Sequence, residues 1–191
     1  MSRVVQTGAW VVPDTRALPD EVVAFLEAGE PPVYFGFGSM PAAWDLAQEV
    51  VKSARAVGRR VIISRGWAGL TPVEDEPDCL FVGEVNHRAL LPRVAAVVHH
   101  GGAGTTTVAA AAGVPQVVVP QMFDQHYWAR RVQRLGAGVA HPPGVPDAGS
   151  LGGALDQVLR PEVAERARAV AGAVCTDGAV VAAGRLVAGE L

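Results

Sequence analysis

Short apolar runs, each followed by a turn and a stretch of helical periodicity, limit the folds open to this chain. The runs are Val33 to Ser39, Arg59 to Ser64, Cys79 to Val82, Val94 to His99, Gln116 to Val119 and Gly138 to His141. They read as unbroken apolar segments, the pattern of strands buried on both faces. After Pro41, a residue suited to the first turn of a helix, apolar side chains recur at Ala43, Leu46, Ala47, Val50, Ala54 and Val57, the spacing of one helical face. Further helices are expected near Arg88 to Leu91, Thr105 to Ala112 and Gln125 to Leu135. Buried strands separated by helices predict a parallel sheet covered on both sides. The fold class expected is therefore α/β, a Rossmann-like doubly wound parallel sheet of about six strands with helices on both faces and a helical C-terminus.

Length sets the domain organisation. The chain of 191 residues is long enough for one substantial core. A single domain over 1–191 is expected, with a linker-like opening and short helix in 1–32, the Rossmann-like core in 33–149 and C-terminal helices in 150–191. The opening holds "PDEVVAFLEAGE" from Pro19, an amphipathic helix with Val22, Phe25 and Leu26 on one face, stopped by Pro31 and Pro32. Beyond Ser150 the pattern is helical, with a break at Gly172 to Gly178.

Composition then excludes several functions. A net charge of -3, with basic residues scattered along the chain, gives no footprint for nucleic acid. Cys79 and Cys175 stand far apart with no CxxC pair, which argues against a zinc site or a disulfide framework and fits a reducing cytoplasm. The N-terminus lacks a signal-peptide core, and no apolar run reaches the roughly 18 residues needed to span a bilayer, so no membrane span is expected. Lys52 is the only lysine beside abundant arginine, alanine, valine and glycine, a bias of GC-rich bacterial genomes. The acidic "EDEPD", Glu74 to Asp78, reads as a solvated turn, and no essential metal is expected. His87 and His126 read as surface or cap residues.

In the middle of the apolar region lies "HHGGAGTT", His99 to Thr106. Ligands of open parallel sheets sit beyond the carboxyl ends of the strands, where this stretch falls. Gly101, Gly102 and Gly104 allow a sharp turn and a close backbone approach, and the unpaired first amides of the following helix carry partial positive charge. Phosphate is the natural guest, although a tight turn without a ligand fits three glycines equally well. The stretch matches neither GxxxxGK[ST] nor GxGxxG, which argues against a P-loop kinase and a dinucleotide oxidoreductase. Adjacent strand residues face opposite sides, so of His99 and His100 one is packed and the other, nearer the turn, can donate to a phosphate oxygen.

"HHGGAGTT", followed by "AGVPQVVVPQMFDQ" and "RVQRLGAGV", resembles the nucleotide-sugar-binding half of family 1 glycosyltransferases of the GT-B architecture. Upstream, "QTGAW", "GFGSM" and "VIISRGWAGL" resemble the bacterial antibiotic glycosyltransferases and the sterol glucosyltransferases in particular. The resemblance runs from about Gln6 to the C-terminal helices. It implies that His100, Gly102, Ala103, Gly104 and Thr105 hold the donor diphosphate with Ser39 beside them. It implies further that Asp124 and Gln125 bind sugar hydroxyls, and that Arg65, Trp67 and the backbone around Val85 surround a pyrimidine base. Trp67 as a cap on the sheet and Asp124 as a plain helix cap are the bland readings of those two residues. Val108 stands where many members of the family carry a glutamate for the ribose hydroxyls, which leaves UDP and dTDP both open.

The reaction the resemblance implies is an inverting hexose transfer from a UDP- or dTDP-sugar to a hydroxyl of a small lipophilic or natural-product acceptor. The catalytic base would belong to an N-terminal acceptor domain, present in cis or in trans. No catalytic residue is therefore expected in this chain beyond leaving-group stabilisation by His100 and Thr105, and the chain alone is expected to be inactive. The donor subunit of a two-chain enzyme and a non-catalytic nucleotide-binding module are the alternatives. No cofactor beyond the substrate nucleotide sugar is implied.

Overall fold

The computed structural model describes residues 4–38, 46–66 and 76–189. Ser39, Pro41, Ala43, Trp67 and the start of the acidic turn at Glu74 lie outside them. The strands are β1 (Val33–Gly36), β2 (Val61–Ser64), β3 (Cys79–Val82), β4 (Ala96–His99), β5 (Gln116–Val118) and β6 (Gly138–Ala140). They form one six-stranded sheet in the order β3-β2-β1-β4-β5-β6. Every pairing is parallel, with Phe35 beside Val98 and His99 beside Val118. The helices are α1 (Asp20–Glu27), α2 (Leu46–Ala56), α3 (His87–Leu90), α4 (Ala103–Ala112), α5 (Gln125–Arg134), α6 (Ala148–Val158), α7 (Pro161–Ala171) and α8 (Gly178–Val187).

The two-residue period of the strands divides the core. Val33, Phe35, Val61, Ile63, Ala96, Val98 and Val117 point to one face, where α2 brings Leu46, Ala47, Val50 and Ala54 and α6 brings Leu151, Leu155 and Val158. Tyr34, Ile62 and Val97 point to the other, packing on Val22 and Leu26 of α1, Leu90 of α3 and Ala109 of α4. Val118 continues that face onto Ala129 and Val132 of α5. Burial on both faces is why the strands carry no polar alternation. The Glu49 carboxylate of α2 ties the helices of the first face together by accepting from the backbone amide of Ala148 at 2.8 Å. There it meets the positive end of α6.

Several expected boundaries move. Helix α4 begins at Ala103, not Thr105, with Gly102 as its N-cap, so Ala103 and Gly104 form its first turn instead of the preceding loop. Helix α6 begins at Ala148, ahead of Ser150, because the Asp147 side chain accepts from the Ser150 amide at 2.7 Å in a capping box. A further break falls at Leu159 and Arg160, where Pro161 opens α7 at its first position. The opening segment is tied down by backbone bonds from the Ala9 amide to Cys175 O at 2.8 Å and from the Gly178 amide to Ala9 O at 3.1 Å. Among the described residues no helix is long and apolar enough to cross a membrane.

Candidate functional site

The strand order reverses between β1 and β4, and a crevice opens beyond the carboxyl ends of strands at such a switch point. Two turns border it, one after β1 reaching Gly38 and one after β4 through His100, Gly101 and Gly102. The paired histidines divide as the strand period requires. His99 is 0% exposed and lies on the α4 and α5 side of the sheet. Its Nδ1 accepts from the Gly101 amide at 3.1 Å, so the ring proton sits on Nε2 and is donated to Gln116 Oε1 at 2.9 Å. Burial is the main cause that pulls its pKa down to about 4, and the ring is neutral at neutral pH. It braces the turn from beneath.

His100 is half-buried and stands between the two turns. A side chain at Gly102 would put its Cβ 2.6 Å from His100 Nε2, and one at Gly38 would come 3.2 Å from its Cε1. Glycine at Gly102 is therefore a steric requirement of this ring position. Gly101, at φ 91°, occupies backbone space that favours glycine, and a Cβ there would meet Val118 Cγ1 at 2.8 Å. His100 Nδ1 is buried and has no partner among the described residues. Burial lowers the pKa of the ring, with the Asp124 carboxylate opposing the shift.

Helix α4 points its N-terminus into the same crevice. Gly102 has no side chain to cap it, so the amides of Ala103, Gly104 and Thr105 are the unpaired donors of the first turn. Thr106 Oγ and Thr107 Oγ donate back to Gly102 O and Ala103 O, at 2.9 and 2.8 Å. They are thereby withdrawn from the crevice. The structure thus brings His100, Gly102, Ala103, Gly104 and Thr105 together in an arrangement chemically suited to an anion.

Asp124 occupies the N-cap position of α5 but makes no cap bond with its side chain. Its carboxylate accepts from Trp128 Nε1 at 2.9 Å, one turn along the helix. Gln125 is buried, and its Oε1 accepts from the amides of Gln121 and Met122 at 2.7 and 3.1 Å. It thereby shapes the loop that carries Asp124. Within that loop Phe123 is exposed and sits at φ 53°, the one non-glycine residue with positive φ among those described. Arg65 and Val85 follow β2 and β3, on the far side of β1 from the glycine turn. Arg65 is exposed and Val85 packs partly on the second core. Ser39 and Trp67 are outside the described residues. Val108 turns into the second core from α4.

Three residues of this network escape a reading by sequence. Gln116 and Trp128 hold His99 and Asp124, and both look like ordinary members of a strand and a helix. His87, expected at the surface or as a cap, is partly buried and hydrogen-bonded through Nε2 to the Tyr34 hydroxyl at 2.8 Å. Asn86 is the cap of α3 instead, its side chain accepting from the Arg88 amide at 2.9 Å. The acidic turn presents Asp78 to Arg55, with contacts of 2.7 and 2.8 Å. Among the described residues no group of three His, Cys, Asp or Glu could hold a metal ion.

The fold and the crevice define a Rossmann-like α/β domain with its candidate ligand site at the switch point of the sheet. The chain belongs to the family described as the erythromycin biosynthesis protein CIII-like C-terminal domain, which it matches over residues 48–181. It is 57% identical over 179 residues to the vancomycin aglycone glucosyltransferase of Amycolatopsis orientalis, covering 94% of this chain and 44% of that protein. Identity to a sterol 3-beta-glucosyltransferase of Arabidopsis thaliana is 36% over 128 residues, covering 65% of this chain and 20% of that one. Among solved structures, the spinosyn rhamnosyltransferase SpnG superposes with a TM-score of 0.67 at 23% identity, over 92% of this chain and 50% of that one. The fold is one half of the GT-B architecture. The chain spans less than half the length of these two relatives.

Proposed function

We propose that this chain is the nucleotide-sugar donor domain of an inverting glycosyltransferase that moves a hexose from UDP or dTDP to a hydroxyl of a small lipophilic or natural-product acceptor. The observation that carries the reading is the seating of His100 between the two glycine-bearing turns, against the uncapped N-terminus of α4, at the switch point of the sheet. The names of the relatives, glucosyltransferases acting on an antibiotic aglycone and on a sterol, support the same class of reaction.

In this reading the diphosphate lies against the amides of Ala103, Gly104 and Thr105, with His100 and the Thr105 hydroxyl completing its shell and Ser39 beside it. A neutral imidazole offers one N–H, and the helix end offers several fixed donors. As the acceptor oxygen bonds to the anomeric carbon, the bond from that carbon to the diphosphate oxygen breaks and its electron pair leaves with the nucleotide. Donors already aimed at that oxygen stabilise the charge it gains, with no reorganisation at the moment of reaction. Asp124 takes hydroxyls of the sugar and Gln125 fixes the loop around them, while Arg65, Trp67 and the backbone at Val85 receive the base. The acceptor proton passes to a base in an N-terminal acceptor domain, joined in cis or supplied in trans.

Calorimetric titration of UDP, dTDP and ADP tests the assignment. The pyrimidine nucleotides are expected to bind and ADP to bind far more weakly. Equal affinity for ADP and UDP would overturn the reading.

A further inference from the structure

A cavity of about 710 Å³ lies between α4 and α5, apart from the crevice at the switch point. Gln116, at the start of β5, contributes to its floor, Ala110 and Thr106 of α4 and Val132 and Trp128 of α5 to its walls, and the opening segment and Val174 to its roof. Cavities of roughly 300–1,000 Å³ hold drug-sized molecules, and those that do are mainly apolar with a few placed polar groups. This one fits that description.

Gln116 shows which polar group a guest needs. Because the His99 ring proton is on Nε2, Gln116 Oε1 is its acceptor, and this fixes which end of the amide is nitrogen. The side chain is 1% exposed, yet Nε2 has no partner among the described residues. The Thr106 and Thr107 hydroxyls donate to the backbone of α4, and neither oxygen accepts from Gln116 Nε2. A buried amide donor without an acceptor is destabilising, and an acceptor oxygen brought by a guest removes that penalty. The unmet demand in the buried part of the cavity is thus for an acceptor, while Arg131 and Asp177 stand exposed among the lining with charges of opposite sign.

We infer that the cavity binds a neutral, mainly apolar small molecule whose carbonyl oxygen accepts from Gln116 Nε2. Its occupant is distinct from the nucleotide, and the inference does not depend on the donor reading. Occupancy reaches the crevice by two hydrogen-bonded routes, from Gln116 through His99 to the Gly101 amide and from Trp128 to Asp124.

A matched pair of probes tests it on the 191-residue chain labelled with nitrogen-15. Acetylnaphthalene carries a carbonyl, and isopropenylnaphthalene has nearly the same shape without an acceptor. The ketone is expected to shift the Gln116 side-chain amide and the Trp128 indole resonances saturably, and to bind about five- to ten-fold more tightly than the hydrocarbon, the worth of one hydrogen bond. Ala110→Phe places a phenyl ring inside the cavity, leaves Gln116 and His99 themselves unsubstituted, and is expected to abolish binding. Val174→Phe does the same from the roof should the first variant fail to fold. Absence of binding by the ketone, equal affinity for both probes, or binding that survives a folded cavity-filling variant would each overturn the inference and leave the cavity to water.

Discussion

His99 and His100 are neighbours in sequence with opposite tasks, and the difference is one of direction. A strand sends successive side chains to opposite faces, so the division was legible from the sequence, with the packed ring assigned to His99 and the ring nearer the turn to His100, whereas the partner of His99, Gln116 on the neighbouring strand, was not. The buried ring gives a pH signature. Its folded pKa of about 4 lies below the ordinary value of 6.5, so between those pH values the unfolded chain binds a proton that the folded chain refuses. Stability therefore falls as pH drops from 6.5 to about 4, by about 3 kcal/mol from this group, and His99 contributes no further loss below that window. His99→Gln keeps a donor toward Gln116 without titrating, and urea melts across the window should show a shallower decline. A residual slope of the same sign remains from His87 and His100, which burial also holds below their ordinary value. His100→Ala should instead weaken UDP binding by roughly ten- to a hundred-fold with little change in melting temperature, the loss of a hydrogen bond to a charged phosphate. Gly102→Ala should reproduce that loss through displacement of the ring, and calorimetry on both variants makes the comparison.

At the scale of elements, the strands were legible because burial on both faces leaves only apolar runs, and the parallel sheet followed from the helices between them. The start of α4 was not. Glycine at Gly102 and Gly104 reads as loop chemistry, yet Gly104 lies inside the first turn and the cap is a residue with no side chain to announce it. The site partners were hidden for a different reason: Gln116 meets His99 across strands, and Tyr34 meets His87 at a separation of 53 residues, contacts that no local pattern encodes. The other end of α4 is plainer. Gly113 closes the helix at φ 69°, and a Cβ there would stand 3.2 Å from Arg168 Cα on α7. Gly113→Ala should lower stability by about 1–2 kcal/mol, the cost of forcing an L-residue into left-handed space. Nucleotide affinity should hold, because the change lies at the far end of the helix from the crevice; denaturant melts and a UDP titration of one sample check both statements.

For the whole molecule, the proposed division of labour places donor binding here and the acceptor and base in another domain. Incubated with UDP-glucose or a dTDP-sugar and a lipophilic acceptor, the chain alone should release no glycoside above background while still binding nucleotide. Supplying the N-terminal portion of an antibiotic glycosyltransferase relative is the complementary arm, and transfer detected by mass spectrometry only when both are present is the expected outcome. Sustained transfer by this chain alone would place the base within it. The central claim is narrower and concerns where the diphosphate sits. Amide resonances of the labelled chain, followed while UDP is added, report it directly. The account predicts the largest saturable shifts at Gly101, Gly102, Ala103, Gly104 and Thr105, with Gly38 responding across the crevice and the His100 ring signals moving in step. Saturable binding whose shifts fall elsewhere on the chain and leave the start of α4 unchanged would contradict it.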